Sequence, residues 1–188
     1  MFAQIAVFLV DTVVTLLVFM LLLRFHFQWL RVPFRNPIGE FVLATTSWAV
    51  MPARRVIPGL AGLDLATLLL AWVILGLGLW LQAILGAQPI LGANPSALAV
   101  AGVALVDLAR YSVYILVFAI LGLVVFSWVN PHAPLAPIFG AFTRPFLRPI
   151  QRRMPPVGGV DLSPLVLSIV LYIALIAIAE LRGLAGAL

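Results

Sequence analysis

The second half of the chain repeats the first at a spacing of 97 residues, without a gap. The residues that recur are Pro37 at Pro134, Thr46 at Thr143, Pro52 at Pro149, Arg55 at Arg152, Pro58 at Pro155, Gly62 at Gly159 and Asp64 at Asp161. Each copy is an apolar run, a connector rich in proline and arginine, and a second apolar run. A repeat of this length predicts two units of the same architecture, residues 1–90 and 91–188.

The composition predicts an integral membrane protein. Apolar residues make up 64% of the chain and charged residues 9%, whereas soluble domains carry about 25% charged residues. Four apolar runs, residues 2–23, 65–85, 97–128 and 162–181, reach the roughly 20 residues that a helix needs to cross a bilayer. We therefore expect an all-α bundle of four transmembrane helices, formed by two tandem parallel two-helix repeats whose connectors each contain a short interfacial helix.

The arginines predict the orientation of this bundle. The first connector has Arg31, Arg35, Arg54 and Arg55 against Glu40, the second has Arg144, Arg148, Arg152 and Arg153, and the joint at 86–96 has no charge. The positive-inside rule then places both connectors in the cytoplasm and both termini on the other side. Because a two-span unit returns to its starting side, the two units are expected to be parallel, which disfavours an inverted-repeat transporter.

The second connector has an amphipathic pattern. Its apolar stripe is Phe139, Phe142, Phe146 and Ile150, and Arg144, Arg148 and Arg152 fall on the opposite face. Such a helix can lie in the membrane interface with its arginines toward lipid phosphates. Alternatively, the phenylalanines pack under the bundle and the arginines only set the topology. Pro145 and Pro149 are expected to break or kink this segment, which gives a short helix followed by an extended turn rather than one continuous helix.

The residues before the second and fourth spans are typical of helix starts. Ser163 is a candidate N-cap and Pro164 fits a first helical turn, while Asp161 and Asp64 can cap or pair with an arginine. Gly62, Gly158 and Gly159 complete this predicted set of loop-ordering residues.

The run from Thr143 to Pro164, TRPFLRPIQRRMPPVGGVDLSP, resembles the signature of the YggT family. The first copy keeps Pro52, the Arg54–Arg55 doublet, Pro58, Gly62 and Asp64, but its doublet comes one residue earlier than the second doublet, Arg152–Arg153. The resemblance implies a small bacterial inner-membrane protein linked to tolerance of osmotic or extracytoplasmic stress. Chloroplast relatives are linked to haem attachment in a b-type cytochrome and to nucleoid distribution.

The sequence lacks the common motifs of enzymes. It has no HExxH, GxSxG or GxxxxGK[ST] motif, and it has no cysteine for thiol chemistry. His26 and His132 do not correspond under the repeat, and each is interpreted as an interfacial polar residue. We therefore predict no enzymatic activity, no catalytic residue, no metal and no cofactor.

Asp11, Asp107 and Arg110 lie in predicted spans, where a charge is costly and is by default a functional hypothesis. Asp11 is about halfway along the first run, and Asp107 and Arg110 are three residues apart on one helix face. These residues could line a path for a cation or proton in an oligomeric channel. The interpretation we favour is that they lock the bundle through an interhelical salt bridge or hydrogen bond, or lie near the outer interface.

Together these patterns predict a membrane scaffold or assembly factor. Its expected lipid- or partner-binding residues are Arg54, Arg55, Arg144, Arg148, Arg152 and Arg153. The expected partners are a bilayer with anionic head groups and a protein partner or second copy of the chain, and no nucleic acid. Arg24, near the end of the first span, is expected only to snorkel to the interface.

Overall fold

The computed structural model describes residues 2–59, 62–92, 94–154 and 161–188, and over these ranges it contains helices joined by turns and loops and no β-strand. The six helices are α1 Phe2–Trp29, α2 Pro37–Val56, α3 Leu65–Ile84, α4 Ala97–Val129, α5 Ala136–Gln151 and α6 Ser163–Gly186. Four of them, α1, α3, α4 and α6, are long and apolar enough to cross a membrane. The predicted all-α fold with four spans and a helix in each connector is confirmed.

The helices follow the sequence repeat. When residue numbers are shifted by 97, α1, α2 and α3 begin within two residues of α4, α5 and α6. Helix α1 packs against α3, α4 packs against α6, and α3 against α4 joins the two pairs. We call the end of the bundle that bears α2 and α5 the connector end, and the opposite end the distal end.

Small residues set the distance between the spans. A Cβ atom at Gly78 of α3 would lie 2.7 Å from a methyl carbon of Val14 in α1, so glycine allows these two helices to touch. Between the units, the indole Nε1 of Trp72 donates a hydrogen bond of 3.0 Å to the carbonyl of Ala101 in α4. The packing of the Val14 side chain on Gly78 and the hydrogen bond from Trp72 therefore fix α3 between α1 and α4.

Helix α5 runs unbroken through Pro145 and Pro149, so the expectation that they would end it is wrong. Both prolines are exposed. The prolines therefore lie on the outward face of α5, away from the residues that pack under the bundle. Helix α2 likewise continues through Pro52.

The apolar face of α5 packs under the bundle, as the second interpretation predicts for the phenylalanines. Phe142 is almost fully buried, with its ring centroid 5.9 Å from that of His26 and 6.1 Å from that of Phe27 in α1. The ring of Phe139 lies 5.5 Å from Phe126 of α4. Contacts to both α1 and α4 fix α5 at the connector end with its opposite face outward.

Candidate functional site

The outward face of α5 is basic. Arg144 and Arg148 are exposed on it, and Arg152 and Arg153 follow, also exposed, where the helix ends. In the described part of the chain none of these four forms a salt bridge. Because residues four apart are about 6 Å apart along a helix, these side chains form a row of positive charge on the surface.

The two arginines of the first doublet have different environments. The Arg54 guanidinium forms a 2.5 Å salt bridge with Asp64 through NH2, and the same nitrogen donates to Gln28 Oε1 at 3.0 Å. Arg55 is exposed and forms no salt bridge among the residues that the structure describes. Arg54 therefore holds the loop before α3, whereas Arg55 is available to a ligand.

Asp64 caps α3. Its Oδ1 accepts a hydrogen bond from the backbone N–H of Thr67 at 3.4 Å, and its Oδ2 accepts one from the Thr67 hydroxyl. Burial alone would raise the pKa of this carboxyl, but the hydrogen bonds from Arg54 and Thr67 outweigh burial and lower the pKa below its usual value. Two residues earlier Gly62 has φ +82°, a conformation that glycine adopts without strain.

In the second unit the equivalent aspartate is bound by a neutral side chain instead of an arginine. Gln151 Nε2 donates to Asp161 Oδ2 at 2.8 Å, and these residues lie 97 positions after Arg54 and Asp64. This correspondence explains why the two arginine doublets are offset by one residue under the repeat: Gln151 replaces Arg54, and Arg152 matches Arg55. Burial would raise the pKa of Asp161, but hydrogen bonds from Ser163 and Gln151 keep it below the usual value.

The start of α6 differs from the predicted cap. Leu162 occupies the N-cap position without a side-chain cap bond, and Ser163 is already the first helical residue. The reason is that Asp161 accepts the Ser163 backbone N–H at 2.9 Å, which takes over the capping contact. Pro164 lies in the first turn, and the predicted Gly158 and Gly159 lie outside the described residues.

Arg24 does not snorkel; that expectation is wrong. It is 4% exposed, and its NH1 donates to the hydroxyls of Thr46 at 2.8 Å and Ser47 at 3.2 Å in α2. The hydroxyls on the facing helix give the guanidinium a buried set of acceptors. Sequence reasoning missed this contact because it depends on how α2 folds back onto α1.

At the distal end of the second unit, Asp107 is 1% exposed and accepts two guanidinium groups. Arg110 lies 3.1 Å away through NH2 and Arg182 of α6 lies 2.8 Å away through Nε. The pairing with Arg110 follows the predicted spacing of three residues. Arg182 was missed, although antiparallel spans bring the start of α4 beside the end of α6. The cluster joins α4 to α6.

Asp11 lies in the other unit. Its Oδ1 accepts a hydrogen bond of 3.3 Å from Gln82 of α3, and the residue is exposed. Within the described ranges, the polar contacts of Asp11 and of Asp107 belong to separate helix pairs, so they form no joint site. The contacts match the helix-locking interpretation of these residues.

The two histidines have unrelated surroundings. His26 is buried in α1, where its Nδ1 donates to the carbonyl of Leu22 at 2.7 Å. His132 is exposed in the turn after α4. In the part of the chain that the structure describes, no three His, Asp or Glu residues are grouped as a metal site would require.

Comparison with known proteins identifies the family. The profile of the CCB3/YggT family matches residues 3–85 and again residues 102–181. The chain is 32% identical to the protein YggT of Escherichia coli over 181 residues, covering 95% of this chain and 92% of that protein.

Two further relatives have similar identity. The protein of the proC 3′ region of Vibrio alginolyticus is 30% identical over 177 residues, 94% of each chain. A Haemophilus influenzae protein is 30% identical over 171 residues, which cover 90% of this chain and 88% of that one. No solved structure matches the chain. The two family segments correspond to the two units, and the chain belongs to the CCB3/YggT family of multi-pass membrane proteins.

Proposed function

We propose that this protein is a non-enzymatic membrane scaffold or assembly factor whose connector end binds anionic lipid head groups. The observation that carries the proposal is the exposed row Arg144, Arg148, Arg152 and Arg153, which has no carboxylate partner among the described residues. Arg55 of the first unit adds a further exposed guanidinium. Guanidinium groups bind phosphate with paired, charge-assisted hydrogen bonds.

The distribution of charge supports the same proposal. The connector end has nine arginines against three carboxylates, Glu40, Asp64 and Asp161, a difference of +6. The distal end has two arginines against three carboxylates, a difference of −1. By the positive-inside rule the connector end faces the cytoplasm of a bacterial inner membrane and the termini face the other side.

The connector of the first unit would anchor the same end in the bilayer. The outward face of α2 carries Phe41, Trp48 and Met51, each more than half exposed. Their spacing of three or seven residues aligns them on one side of the helix. Aromatic and apolar side chains of this kind enter the boundary between head groups and acyl chains. One connector would thus supply the apolar anchor and the other the basic face.

Lipid retention measured by native mass spectrometry tests the proposal. The detergent-purified chain is mixed with equal amounts of phosphatidylglycerol and phosphatidylcholine, and the bound lipid is identified. The wild-type protein should retain mainly phosphatidylglycerol. Substitution of Arg144, Arg148, Arg152 and Arg153 by Gln should abolish this preference, because each basic residue contributes about 1 kcal/mol to binding an anionic surface.

The matched control replaces the same four arginines by Lys. This variant keeps the charge, so most of the preference for phosphatidylglycerol should remain. If the Gln variant retains phosphatidylglycerol as well as the wild type does, the basic face does not bind lipid and the proposal is wrong.

The cellular role that we propose follows the family resemblance: tolerance of osmotic or extracytoplasmic stress. A strain that lacks its own copy should grow poorly at high osmolarity and recover with the wild-type chain. The Gln variant should insert into the membrane at normal levels but should not restore growth. Full recovery with that variant would show that stress tolerance does not depend on the four arginines.

The channel alternative lacks a supporting contact. The Asp107 cluster has two guanidinium groups for one carboxylate, so it is net positive and repels a cation. Asp11 contacts a neutral glutamine in the other unit. We therefore do not advance ion transport as a second function.

A further inference from the structure

A cleft lined by both polar and apolar residues lies at the distal end of the first unit, away from the basic face. It has a volume of about 540 Å³. Its walls come from the start of α1, the end of α3 and the turn that follows α3, and include Gln4, Asp11, Gln82, Leu85, Gly86 and Gln88. The cleft is open to the surroundings, and Asp11 is the charged residue of its lining.

The amide side chains of the cleft form a chain that ends at this carboxylate. Gln88 Nε2 donates to Gln82 Oε1 at 2.5 Å, and Gln82 Nε2 donates to Asp11 Oδ1 at 3.3 Å. Gln82 is 5% exposed, so its amide is held in a fixed orientation. Across the described ranges Asp11 forms no salt bridge. The carboxylate is positioned, and its second oxygen accepts no hydrogen bond from these residues.

The second unit indicates what this carboxylate lacks. Asp107 lies one residue off the repeat position of Asp11, and there the guanidinium of Arg182 binds it from the third helix of the unit. The residue 97 positions before Arg182 is Leu85, which lines the cleft. The cleft therefore lies where the second unit places its own cation. The first unit has a carboxylate, Asp11, within one residue of the position equivalent to Asp107, but it has leucine where the second unit has Arg182.

We propose that this cleft binds a primary ammonium group, with Asp11 as the counter-ion and Gln82 as the residue that orients it. An ammonium group donates three hydrogen bonds, so it can bind the free Asp11 oxygen and the amide oxygens that line the same cleft. A carboxylate that is otherwise unpaired gains most from a cation that also donates hydrogen bonds. This site is independent of the proposed lipid phosphate site at the connector end.

The depth of the cleft fits a lipid head group. Asp11 lies 18 residues before the end of α1 and Gln82 lies 17 residues after the start of α3. At 1.5 Å per residue these positions are about 25–27 Å from the connector end, near the far edge of a hydrocarbon core about 30 Å thick. Phosphatidylethanolamine presents a primary ammonium group at this level. A soluble amine could also reach the open cleft.

Thermal unfolding of the purified chain in a non-ionic detergent tests this inference. Phosphatidylethanolamine, phosphatidylcholine or free ethanolamine is added at matched concentration, and Tm is read from tryptophan fluorescence. Phosphatidylethanolamine should raise Tm by about 3 °C more than phosphatidylcholine, whose quaternary nitrogen has no N–H to donate. An equal rise with free ethanolamine would instead identify a soluble amine as the ligand.

Three variants decide whether Asp11 is responsible. Asp11→Asn should lose the response to the ammonium ligand, and Glu180→Gln, which removes an exposed carboxylate at the same end of the bundle, should keep it. Leu85→Arg should also lose the response, because it places an arginine at the position equivalent to Arg182, where it can pair with Asp11. This variant decides the matter if Asp11→Asn does not fold. The inference is overturned if Asp11→Asn or Leu85→Arg responds like the wild type, or if neither ammonium compound changes Tm.

Discussion

Single polar residues fasten the helices of each unit to one another. Asp107 joins α4 to α6 through Arg182, Arg24 joins α1 to α2 through Thr46, and Asp64 joins the end of α2 to the start of α3 through Arg54. Each of these side chains, except the arginines paired with the two aspartates, is at least 95% buried. Because a buried charge without its partner is costly, these contacts specify which helices pack together.

Replacing Asp107 by Asn should destabilise the protein by about 3 kcal/mol, because Arg110 and Arg182 would lose their shared counter-charge. The free energy of unfolding in detergent measures the effect. Glu180→Gln is the control, since it removes an exposed carboxylate of α6 and should change stability by less than about 0.5 kcal/mol. Equal stability of the two variants would show that the cluster does not hold α4 to α6.

The Asp64 carboxylate makes stability depend on pH in the acid range. Its pKa in the folded protein is lowered, below the roughly 3.9 of an unfolded aspartate. The contribution of Asp64 is therefore present above about pH 4 and is lost as the pH falls through the folded-state pKa. In melts between pH 7 and pH 3, Asp64→Asn should be less stable than the wild type at pH 7, and the difference should shrink toward pH 3. A constant difference would contradict this account.

At the scale of helices, the sequence predicts the spans well and their contacts poorly. Apolar runs and proline-rich connectors are local signals, so the four spans and both connector helices follow from the sequence. Arg182 and Asp107 are 75 residues apart, and their pairing follows only from the packing of α6 on α4. The continuity of α5 through Pro145 and Pro149 likewise depends on which helix face is outward, and packing under α1 and α4 decides this.

Close packing of α1 on α3 gives a prediction for Gly78. Replacing it by Ala should destabilise the protein by about 1–3 kcal/mol, because the new methyl group would lie 2.7 Å from Val14. Gly183→Ala in α6 is the matched control, since no neighbouring atom lies within 4 Å of the position that its methyl group would take. That change should be neutral or stabilising, by up to about 1 kcal/mol. If both substitutions have the same effect on thermal stability, α1 and α3 do not touch at Gly78.

For the whole molecule, the two units share one architecture and have diverged in their polar surfaces. The first exposes an apolar face on α2 and leaves Asp11 beside a cleft, whereas the second exposes arginines on α5 and pairs Asp107 internally. This division accounts for a protein with a basic connector end and a weakly acidic distal end. It requires both connectors to lie on the same side of the membrane.

Accessibility of single cysteines in intact cells tests this requirement most directly, because the chain has no native cysteine. Arg55→Cys and Arg152→Cys mark equivalent exposed positions of the two connectors, and Asn94→Cys marks the exposed joint between the units. A membrane-impermeant maleimide applied from outside should label the joint, and it should label the connectors only after the membrane is permeabilised. Labelling of one connector and protection of the other in intact cells would contradict the account.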